Sequence, residues 1–210
     1  MHLFRVPRWV QLFCPELQWH GDRANRKIYL TFDDGPVAGI TDFVLEELAK
    51  RDCKATFFMV GDNVARYVDL AREVVDRGHQ VGNHTFHHLN GIKVSTEEYL
   101  RDVRHCQEEL NDTLGVSPKI FRPPYGLLKP KQKHLLLQDF RLVYWEIVAG
   151  DYLLRLSPEK ILENLKTKTR PGSIVLFHDQ QKTAAKLKRV LPDFLTFLDG
   201  EGFVSDFLPI

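Results

Sequence analysis

Short apolar runs alternate with amphipathic stretches along the chain from residue 27 onward. Runs such as 27–32 (KIYLTF) and 173–177 (SIVLF) are rich in β-branched and aromatic residues, which is typical of buried strands. Residues 41–51 and 183–198, by contrast, place their apolar side chains at helical spacing. Strands that alternate with helices favour a parallel sheet with helical crossovers. The sequence therefore predicts an α/β fold of about seven strand–helix units in a single domain.

The remaining elements follow from the same two periodicities. Further strands are predicted at residues 54–60, 79–84, 119–122, 141–147 and 203–207, and further helices at 64–77, 95–114, 130–139 and from 157 onward. A capping box, Ser95-Thr96-Glu97-Glu98, marks the beginning of the helix at 95, and Gly115 marks its end.

Charge and cysteine content exclude several classes of protein. The 29 Lys and Arg residues nearly cancel the 28 Asp and Glu residues, and the net charge of +1 gives no electrostatic reason to expect nucleic acid as a partner. No apolar run approaches the ~20 residues that a transmembrane helix needs. The cysteines are odd in number and far apart, so we interpret Cys14, Cys53 and Cys106 as buried structural thiols.

The first 26 residues form a separate N-terminal segment that is apolar but interrupted. Arg5, Pro7 and Arg8 break the apolar stretch, and no small-residue cleavage site follows, so the pattern does not match a secretory peptide. We expect residues 1–26 to pack on the domain formed by residues 27–210, and we expect a cytoplasmic location. Weak attachment of this segment to a membrane surface is kept as an alternative.

Polar side chains collect immediately after the predicted strands. The carboxyl ends of parallel strands lie on one face of an α/β fold, where catalytic residues project. Clusters that are far apart in the sequence should therefore meet at one site: Asp33-Asp34, His84 to His88, Arg122 to Tyr125, Asp151 and His178.

Two of these clusters together have the composition of a catalytic metal site. Asp33 and Asp34 are adjacent carboxylates, so one can bind a cation while the other faces the reacting water. Three histidines follow another strand, and either His84 with His88, spaced by four, or His84 with His87, spaced by three, could chelate the ion. Two histidines and one aspartate with an open position are typical of catalytic rather than structural sites.

The other clusters are less specific when each is taken alone. Arg122-Pro123-Pro124-Tyr125 is a proline-stiffened turn that carries a fixed cation, and Asp151 could equally be a cap. His178 follows an apolar run and therefore lies at a strand end. The remaining histidines are in polar surroundings and are interpreted as surface residues: His2, His20, His79, His87, His105 and His134.

Five motifs, in order, resemble the polysaccharide deacetylases of the NodB-homology type, carbohydrate esterase family 4. They cover most of the chain between residues 27 and 207. Thr31–Pro36 (TFDDGP) is similar to the first motif, His84-Thr85-x-x-His88 to the second, Arg122-Pro123-Pro124-Tyr125 to the third, residues 145–152 to the fourth, and Leu176-Phe177-His178 to the fifth. The resemblance favours His88 over His87 as the second histidine of the metal site.

The resemblance implies a distorted (β/α) barrel and a hydrolase that removes N-acetyl groups from an amino-sugar-containing carbohydrate. By the same resemblance, Asp34, His84 and His88 bind one divalent metal ion, usually zinc. Asp33 is then the general base, and His178 is the general acid.

Three further roles come from the resemblance. Arg122 orients Asp33, Asp151 tunes His178, and the backbone N–H of Tyr125 completes the oxyanion hole. The fourth motif departs from the family pattern at Val148 and Tyr152, where Asp and Trp are common, and Phe86 stands where Trp is common in the second.

Two alternative functions remain open from the sequence. The same site could hydrolyse O-acetyl esters or a cyclic amide, and a relative without activity could bind carbohydrate only. A non-catalytic protein would have no need for Asp33 and His178 beside the metal residues, which favours an enzyme.

Overall fold

Eight parallel strands form the centre of the molecule in the computed structural model, which describes residues 4–209. In chain order they are β1 (Lys27–Asp33), β2 (Ala55–Met59), β3 (Gln80–Asn83), β4 (Ile120–Phe121), β5 (Arg141–Leu142), β6 (Ile147–Val148), β7 (Ile174–His178) and β8 (Val204–Ser205). The sheet order is β5-β4-β3-β2-β1-β7-β6, and β8 pairs with the start of β1. The first seven strands curl into a half-barrel, which confirms the predicted distorted (β/α) barrel.

Helices form most of the connections between the strands. They are α1 (Arg8–Phe13), α2 (Thr41–Ala49), α3 (Gly61–Arg66), α4 (Val68–Asp76), α5 (Thr96–Leu114), α6 (Pro130–Asp139), α7 (Pro158–Lys168) and α8 (Ala184–Gly200). The predicted start and end of α5 are confirmed. The Ser95 hydroxyl accepts the Glu98 N–H at 3.1 Å, and Gly115 ends the helix with a φ of 66°.

Side chains alternate between two faces along β1. Ile28, Leu30 and Phe32 belong to the large core between the sheet and the helices. Tyr29 belongs to a separate cluster inside the half-barrel, together with Phe58 of β2. Because the side-chain period of a strand is two, Thr31 and Asp33 point to the same interior face as Tyr29. The strand thus delivers one carboxylate to the inside of the barrel at its carboxyl end.

Two predicted elements are each divided in the structure. The helix predicted at 64–77 is two helices, α3 and α4, because Tyr67 leaves the helical conformation (φ −123°, ψ 50°). The strand predicted at 141–147 is interrupted between β5 and β6. There the Tyr144 N–H donates to Gln18 at 2.8 Å, so the backbone of this stretch finds a partner outside the sheet.

The N-terminal segment hydrogen-bonds along the stretch that joins the two edge strands. The Val6 N–H donates to the Glu146 carbonyl at 2.8 Å, and the Val148 N–H donates to Phe4 at 3.0 Å. Attachment of this segment to a membrane surface gains no support, and none of the helices among residues 4–209 has the length and apolar character of a membrane span. The division of the chain at residue 26 and the location in the cell stay predictions.

One of the three cysteines matches its prediction fully. Cys106 is buried, and burial raises the pKa of its thiol to about 12. Cys14 and Cys53 are only half-buried, because each lies in a connection rather than on a core face of a helix. All three thiols are free.

A buried carboxylate fastens the N-terminal segment to the barrel. The Glu146 side chain is 0% exposed and accepts from Arg23 at 3.0 Å, from Arg5 at 3.0 Å, from Arg170, and from the Ser173 hydroxyl at 2.9 Å. Two of the arginines belong to the N-terminal segment and the third precedes β7, so one acidic residue links the segment to the barrel.

We therefore expect Glu146→Gln to lower the free energy of unfolding by about 1–3 kcal/mol, because three guanidinium groups lose their charged acceptor. Urea unfolding measures this change. The matched control is Glu159→Gln, since Glu159 pairs with Arg189 at the surface, where both side chains are about two-thirds exposed (68% and 67%). This control should leave the unfolding midpoint in place, and equal midpoints for both variants would contradict the cross-linking role.

Candidate active site

A cleft of about 240 Å³ opens at the carboxyl ends of the central strands. The β1–β7 register places Asp33 directly beside His178, while His84 follows β3 and Arg122 follows β4. Of the eight candidate catalytic and metal-binding residues, six line this cleft: Asp33, Asp34, His84, His88, Tyr125 and His178. Arg122 and Asp151 lie behind the lining and contact it through Asp33 and His178.

Asp34, His84 and His88 converge at one point of the cleft. Their ligand atoms all lie within 4.8 Å of one another. The Asp34 Oδ1 atom is 2.9 Å from His88 Nε2 and 3.4 Å from His84 Nε2. His87 points elsewhere, toward Asp102. The geometry therefore favours the pair spaced by four and not the alternative pair of His84 with His87.

The chemistry of this cluster fits a divalent cation. His84 Nδ1 lies 2.7 Å from the Arg122 carbonyl, and a donor is needed there, so the lone pair of Nε2 faces the cluster. The buried Asp34 Oδ1 atom has no hydrogen-bond donor among the described residues. Two imidazole nitrogens and one carboxylate oxygen thus face each other, and a cation between them would satisfy all three.

Asp34 is held in the ionised form that a metal ligand requires. Burial by itself would raise its pKa, but interactions with His84 and His88 and the charge of His178 hold the pKa of Asp34 well below its usual value. Gln180 donates to Oδ2 of the same carboxylate, and Asn63 donates to the Asp34 carbonyl at 2.7 Å. Both the side chain and the backbone of Asp34 are therefore fixed.

Arg122 is completely buried and orients Asp33. Its guanidinium donates to Asp33 Oδ1 at 2.7 Å and to the Thr31 hydroxyl at 2.8 Å. It also donates to the carbonyls of Val143 at 3.2 Å and Tyr144 at 2.8 Å. With Oδ1 engaged, Oδ2 of Asp33 is the free oxygen, and it lies 3.8 Å from His84 Nε2.

Tyr125 lies in a left-handed turn at the edge of the cleft, with φ 62° and ψ 2°. The next two N–H groups, of Gly126 and Leu127, donate to the carbonyls of Pro123 and Pro124 within the turn. The ring of Tyr125 is 4.9 Å from the ring of His88, so the turn is in contact with the metal-binding residues.

His178, at the carboxyl end of β7, forms a hydrogen-bonded pair with Asp151. Asp151 Oδ1 is 2.9 Å from His178 Nδ1, and Oδ2 accepts the His178 backbone N–H at 2.8 Å. Nε2 is consequently the ring atom left for the cleft. Burial would lower the pKa of His178, but Asp151, with help from Asp34 and Asp33, raises it to about 9. The imidazole is therefore a proton donor at neutral pH.

Two of the three positions that depart from the family motifs, Val148 and Tyr152, line the cleft. The Tyr152 ring packs edge-on against His178 at 5.3 Å, and Val148 adds an apolar surface to the lining. Phe86 stacks on His105 with ring centroids 3.6 Å apart. The side chains of these three residues take no part in the hydrogen bonds described for Asp33, Asp151 and His178.

Asp102 on α5 is a residue of the site that sequence reasoning missed. This buried carboxylate accepts the backbone N–H groups of Phe86 and His87, both at 3.0 Å, and lies 2.5 Å from His87 Nδ1. The loop that it holds contains Thr85 and His88, both in the left-handed region (φ 67° and 54°). That conformation costs roughly 1–2 kcal/mol per residue. The hydrogen bonds that Asp102 accepts from this loop offset part of this cost.

Asp179 supports the loop that follows β1 and carries Asp34. It is fully buried, accepts the Gly35 N–H at 3.1 Å and accepts the Thr41 hydroxyl at 2.6 Å. Burial, with the charge of Asp34, raises the pKa of Asp179 to about 8. A Cβ atom at Gly35 would lie 2.1 Å from the Asp179 carboxylate, so only glycine allows this contact. In the sequence, the only signal for a role of Asp179 is that it directly follows His178.

The interpretation of the remaining histidines as surface residues is wrong for His79. It is half-buried against the ring of Phe57, and burial, together with Lys54 and Arg77, lowers its pKa to about 4. The side chain of His87 is 57% exposed but bound to Asp102. His20, His105 and His134 are exposed as expected, and His2 lies outside the described residues.

A curled (β/α) barrel with an Asp–His–His cluster and a carboxylate–imidazole pair at its strand ends defines a class of metal-dependent hydrolases. The family model for polysaccharide deacetylases matches residues 20–142. The chain therefore belongs to the polysaccharide deacetylase family.

Individual relatives agree with this assignment. The chain is 32% identical over 203 residues to a peptidoglycan-N-acetylglucosamine deacetylase of Bacillus cereus, an alignment that covers 94% of this chain and 72% of that protein. It is 32% identical to the peptidoglycan-N-acetylglucosamine deacetylase PgdA of Listeria monocytogenes over 86% of this chain but only 38% of that protein.

One solved structure is similar over nearly its whole length. The crystal structure of the Bc1960 peptidoglycan N-acetylglucosamine deacetylase superposes with a TM-score of 0.89 at 30% identity, covering 97% of this chain and 95% of that one.

We expect Asp102→Ala to weaken divalent-metal binding by about 10–100-fold, because the loop that carries His88 loses three hydrogen bonds from a buried acceptor. A competition titration against a chelator, with zinc as the ion, measures the affinity. Glu108→Ala is the control, since Glu108 is exposed on the same helix. If the two variants bind zinc equally well while both remain folded by circular dichroism, Asp102 does not support the metal site.

Proposed function

We propose that this chain is a zinc-dependent N-deacetylase that hydrolyses the acetamido group of an amino sugar within a carbohydrate. The observation that carries the proposal is the single cleft that joins the Asp34–His84–His88 cluster to two proton-transfer groups. The names of the relatives support an N-acetylated glycan as the substrate class. Two imidazoles and one carboxylate, with room for a further ligand, favour zinc over magnesium or calcium, which prefer oxygen ligands.

Asp33 is suited to the role of general base. A divalent cation held by the cluster supplies Lewis-acid chemistry, which polarises a carbonyl and acidifies water. Arg122 engages Oδ1 of Asp33, so Oδ2 is directed into the cleft beside His84. From there it takes a proton from the water whose oxygen joins the acetyl carbon. The Tyr125 backbone N–H, at the cleft edge, would stabilise the negative charge that develops on the carbonyl oxygen.

His178 is suited to protonating the leaving amine. An amine leaves a tetrahedral carbon poorly unless its nitrogen is protonated as the C–N bond breaks. Asp151 keeps Nδ1 engaged and favours the charged ring, so the proton on Nε2 is available to the sugar nitrogen. The products are acetate and the free amino sugar.

A substrate panel tests the proposal most directly. Purified protein is loaded with zinc and incubated with N-acetylated oligosaccharides, O-acetylated sugars and a cyclic amide, and released acetate and new amine are quantified. Equal amounts of acetate and amine from the N-acetylated sugars support the proposal. Acetate from O-acetyl sugars alone would show that the site hydrolyses O-acetyl esters. Turnover of the cyclic amide alone would show that it hydrolyses cyclic amides.

The metal is tested separately by elemental analysis of protein purified without added metal. One zinc per chain, lost in Asp34→Asn and His88→Ala, is the expected result. A different ion at the same stoichiometry would correct the zinc assignment and leave the ligand set intact.

We expect Asp33→Asn to retain its metal and to lose activity by roughly 10²–10⁴-fold, the usual contribution of a positioned base. The amide keeps an acceptor for Arg122 but cannot take a proton. Metal content by elemental analysis and kcat by acetate release are measured on the same preparation. An unchanged kcat would mean that another group is the base.

The pH profile tests the pairing of His178 with Asp151. Because the pKa of His178 is raised to about 9, its proton is present below that pH and is lost above it, so activity should fall on the alkaline side. Asp151→Asn removes the charge that raises this pKa, and the alkaline limb of kcat should move to lower pH by about 1–2 pH units. Asp193→Asn, at an exposed position of α8, should leave the profile unchanged.

Removal of the general acid His178 should lower the hydrolysis rate by an amount that depends on the leaving group. His178→Ala should slow hydrolysis of an N-acetyl sugar far more than that of an activated aryl acetate, whose leaving group needs no proton. The two substrates are assayed on one preparation. An equal rate loss on both would make His178 a structural residue of the cleft.

A further inference from the structure

The side chain of Gln180 contacts the metal-binding cluster from the turn between β7 and α8. Its amide nitrogen donates to Oδ2 of Asp34, and the residue lines the catalytic cleft. An ionised carboxylate offers only acceptors, so the nitrogen of the amide, and not its oxygen, is the atom that faces Asp34. The fifth sequence motif ends at His178, so Gln180 lies outside the residues that carry the family resemblance.

The two carboxylate oxygens of Asp34 have different partners. Oδ1 lies 2.9 Å from Nε2 of His88 and 3.4 Å from Nε2 of His84, which makes it the oxygen of the metal cluster. Oδ2 accepts the hydrogen bond from Gln180. A carboxylate can bind a cation through one oxygen or through both. Because Oδ2 is engaged by the amide, Oδ1 alone is left for the cation.

The turn that carries Gln180 is held firmly in place. Thr183 is completely buried, and its hydroxyl at 2.9 Å and its backbone N–H at 3.1 Å both donate to the Gln180 carbonyl. The preceding residue, Asp179, accepts the Gly35 N–H at 3.1 Å, which ties the same turn to the loop that carries Asp34. Gln180 is therefore a fixed donor at the metal cluster and not a mobile amide at the surface.

A neutral donor suits this position better than a charged one. A lysine that reached Oδ2 of Asp34 would offset the negative charge of the carboxylate and repel a cation in the cluster. The Gln180 amide fixes the direction of the carboxylate and leaves its charge in place. Such outer partners of metal ligands commonly change metal affinity by about 10–100-fold when they are removed.

We propose that Gln180 is a positioning residue of the metal centre, which restricts Asp34 to one coordinating oxygen and thereby keeps positions on the ion open for water and substrate. The proposal rests on the proposed function, because it takes the cluster of Asp34, His84 and His88 to hold a divalent cation. It also favours zinc over manganese, since manganese is better suited to sites rich in carboxylate and water oxygens.

Metal binding, measured without substrate, tests this proposal on the wild type, Gln180→Met and Gln181→Met. Methionine keeps the length of the side chain and removes the donor. Gln181 is the matched control, because it is the next residue of the same turn but is exposed and outside the lining of the cleft. Gln180→Leu serves as a second variant without a donor, and circular dichroism verifies the fold of each protein.

Two measurements are made on each protein. Visible absorption of the cobalt(II) form reports the coordination number, since the absorption weakens as the number of ligands rises. Chelator competition gives the affinities for zinc and for manganese. In Gln180→Met the freed oxygen of Asp34 should join the coordination, so the cobalt absorption should fall and the ratio of zinc to manganese affinity should fall by about tenfold. Gln181→Met should match the wild type in both measurements.

A cobalt spectrum and an affinity ratio that stay at the wild-type values in both Gln180 variants would overturn the positioning role. An equal loss of affinity for the two ions with an unchanged spectrum would also overturn it, because Gln180 would then only stabilise the turn. Either result leaves the deacetylase assignment standing, since the wild type still binds its metal. A wild type that binds neither zinc nor cobalt overturns the metal site and the proposed function together.

Discussion

The buried ion pair of Arg122 with Asp33 is the interaction on which the geometry of the site depends. Complete burial of a guanidinium costs several kcal/mol of desolvation free energy unless each of its donors finds a partner. Here the donors meet the Asp33 carboxylate, the Thr31 hydroxyl and the carbonyls of Val143 and Tyr144, and the flat face lies 4.1 Å from the centre of the Phe58 ring. The same residue orients His84 through its own carbonyl oxygen. One side chain inside the barrel therefore positions the base, a metal ligand and the backbone between β5 and β6.

The loops around the cleft hold backbone conformations that an isolated chain would avoid. Asp34, Thr85, His88 and Tyr125 all have positive φ, between 54° and 82°. Such residues persist where the surrounding structure over-determines them, and they are frequent at functional sites. Asp102 and Asp179 provide buried acceptors under the first two loops, and the proline-stiffened turn supports the third. The metal ligands are thus held in place by hydrogen bonds from residues outside the cluster, which is a condition for tight and selective coordination.

The residues that differ from the family motifs change the walls of the cleft and leave its proton-transfer groups alone. Tyr152 contacts His178 through its ring, and Val148 contributes an apolar surface to the lining. Trp145 lines the same cleft. The pair of Asp151 and His178 keeps its own hydrogen bonds beside these walls.

Much of the fold and of the site could be read from the sequence, because both depend on signals that are local. Apolar runs with strand character predicted β1, β2 and β7, and the Ser95 cap and Gly115 predicted the limits of α5. Since the carboxyl ends of parallel strands lie together, the polar residues after each strand could be expected to meet, and the structure brings them to one cleft.

Only the tertiary structure decided the features that depend on distant partners. The local pattern at 64–77 is helical throughout, yet the chain breaks at Tyr67. The short helix before this break, α3, donates its first two N–H groups to the carbonyls of Thr85 and Phe86 in the loop that carries His88. Asp102 and Glu146 look like ordinary charged residues in the sequence. Their burial and their partners, up to 141 residues away, appear only after folding. Periodicity determines which face of a strand or helix is apolar, whereas a buried hydrogen bond between remote residues leaves no mark on either neighbourhood.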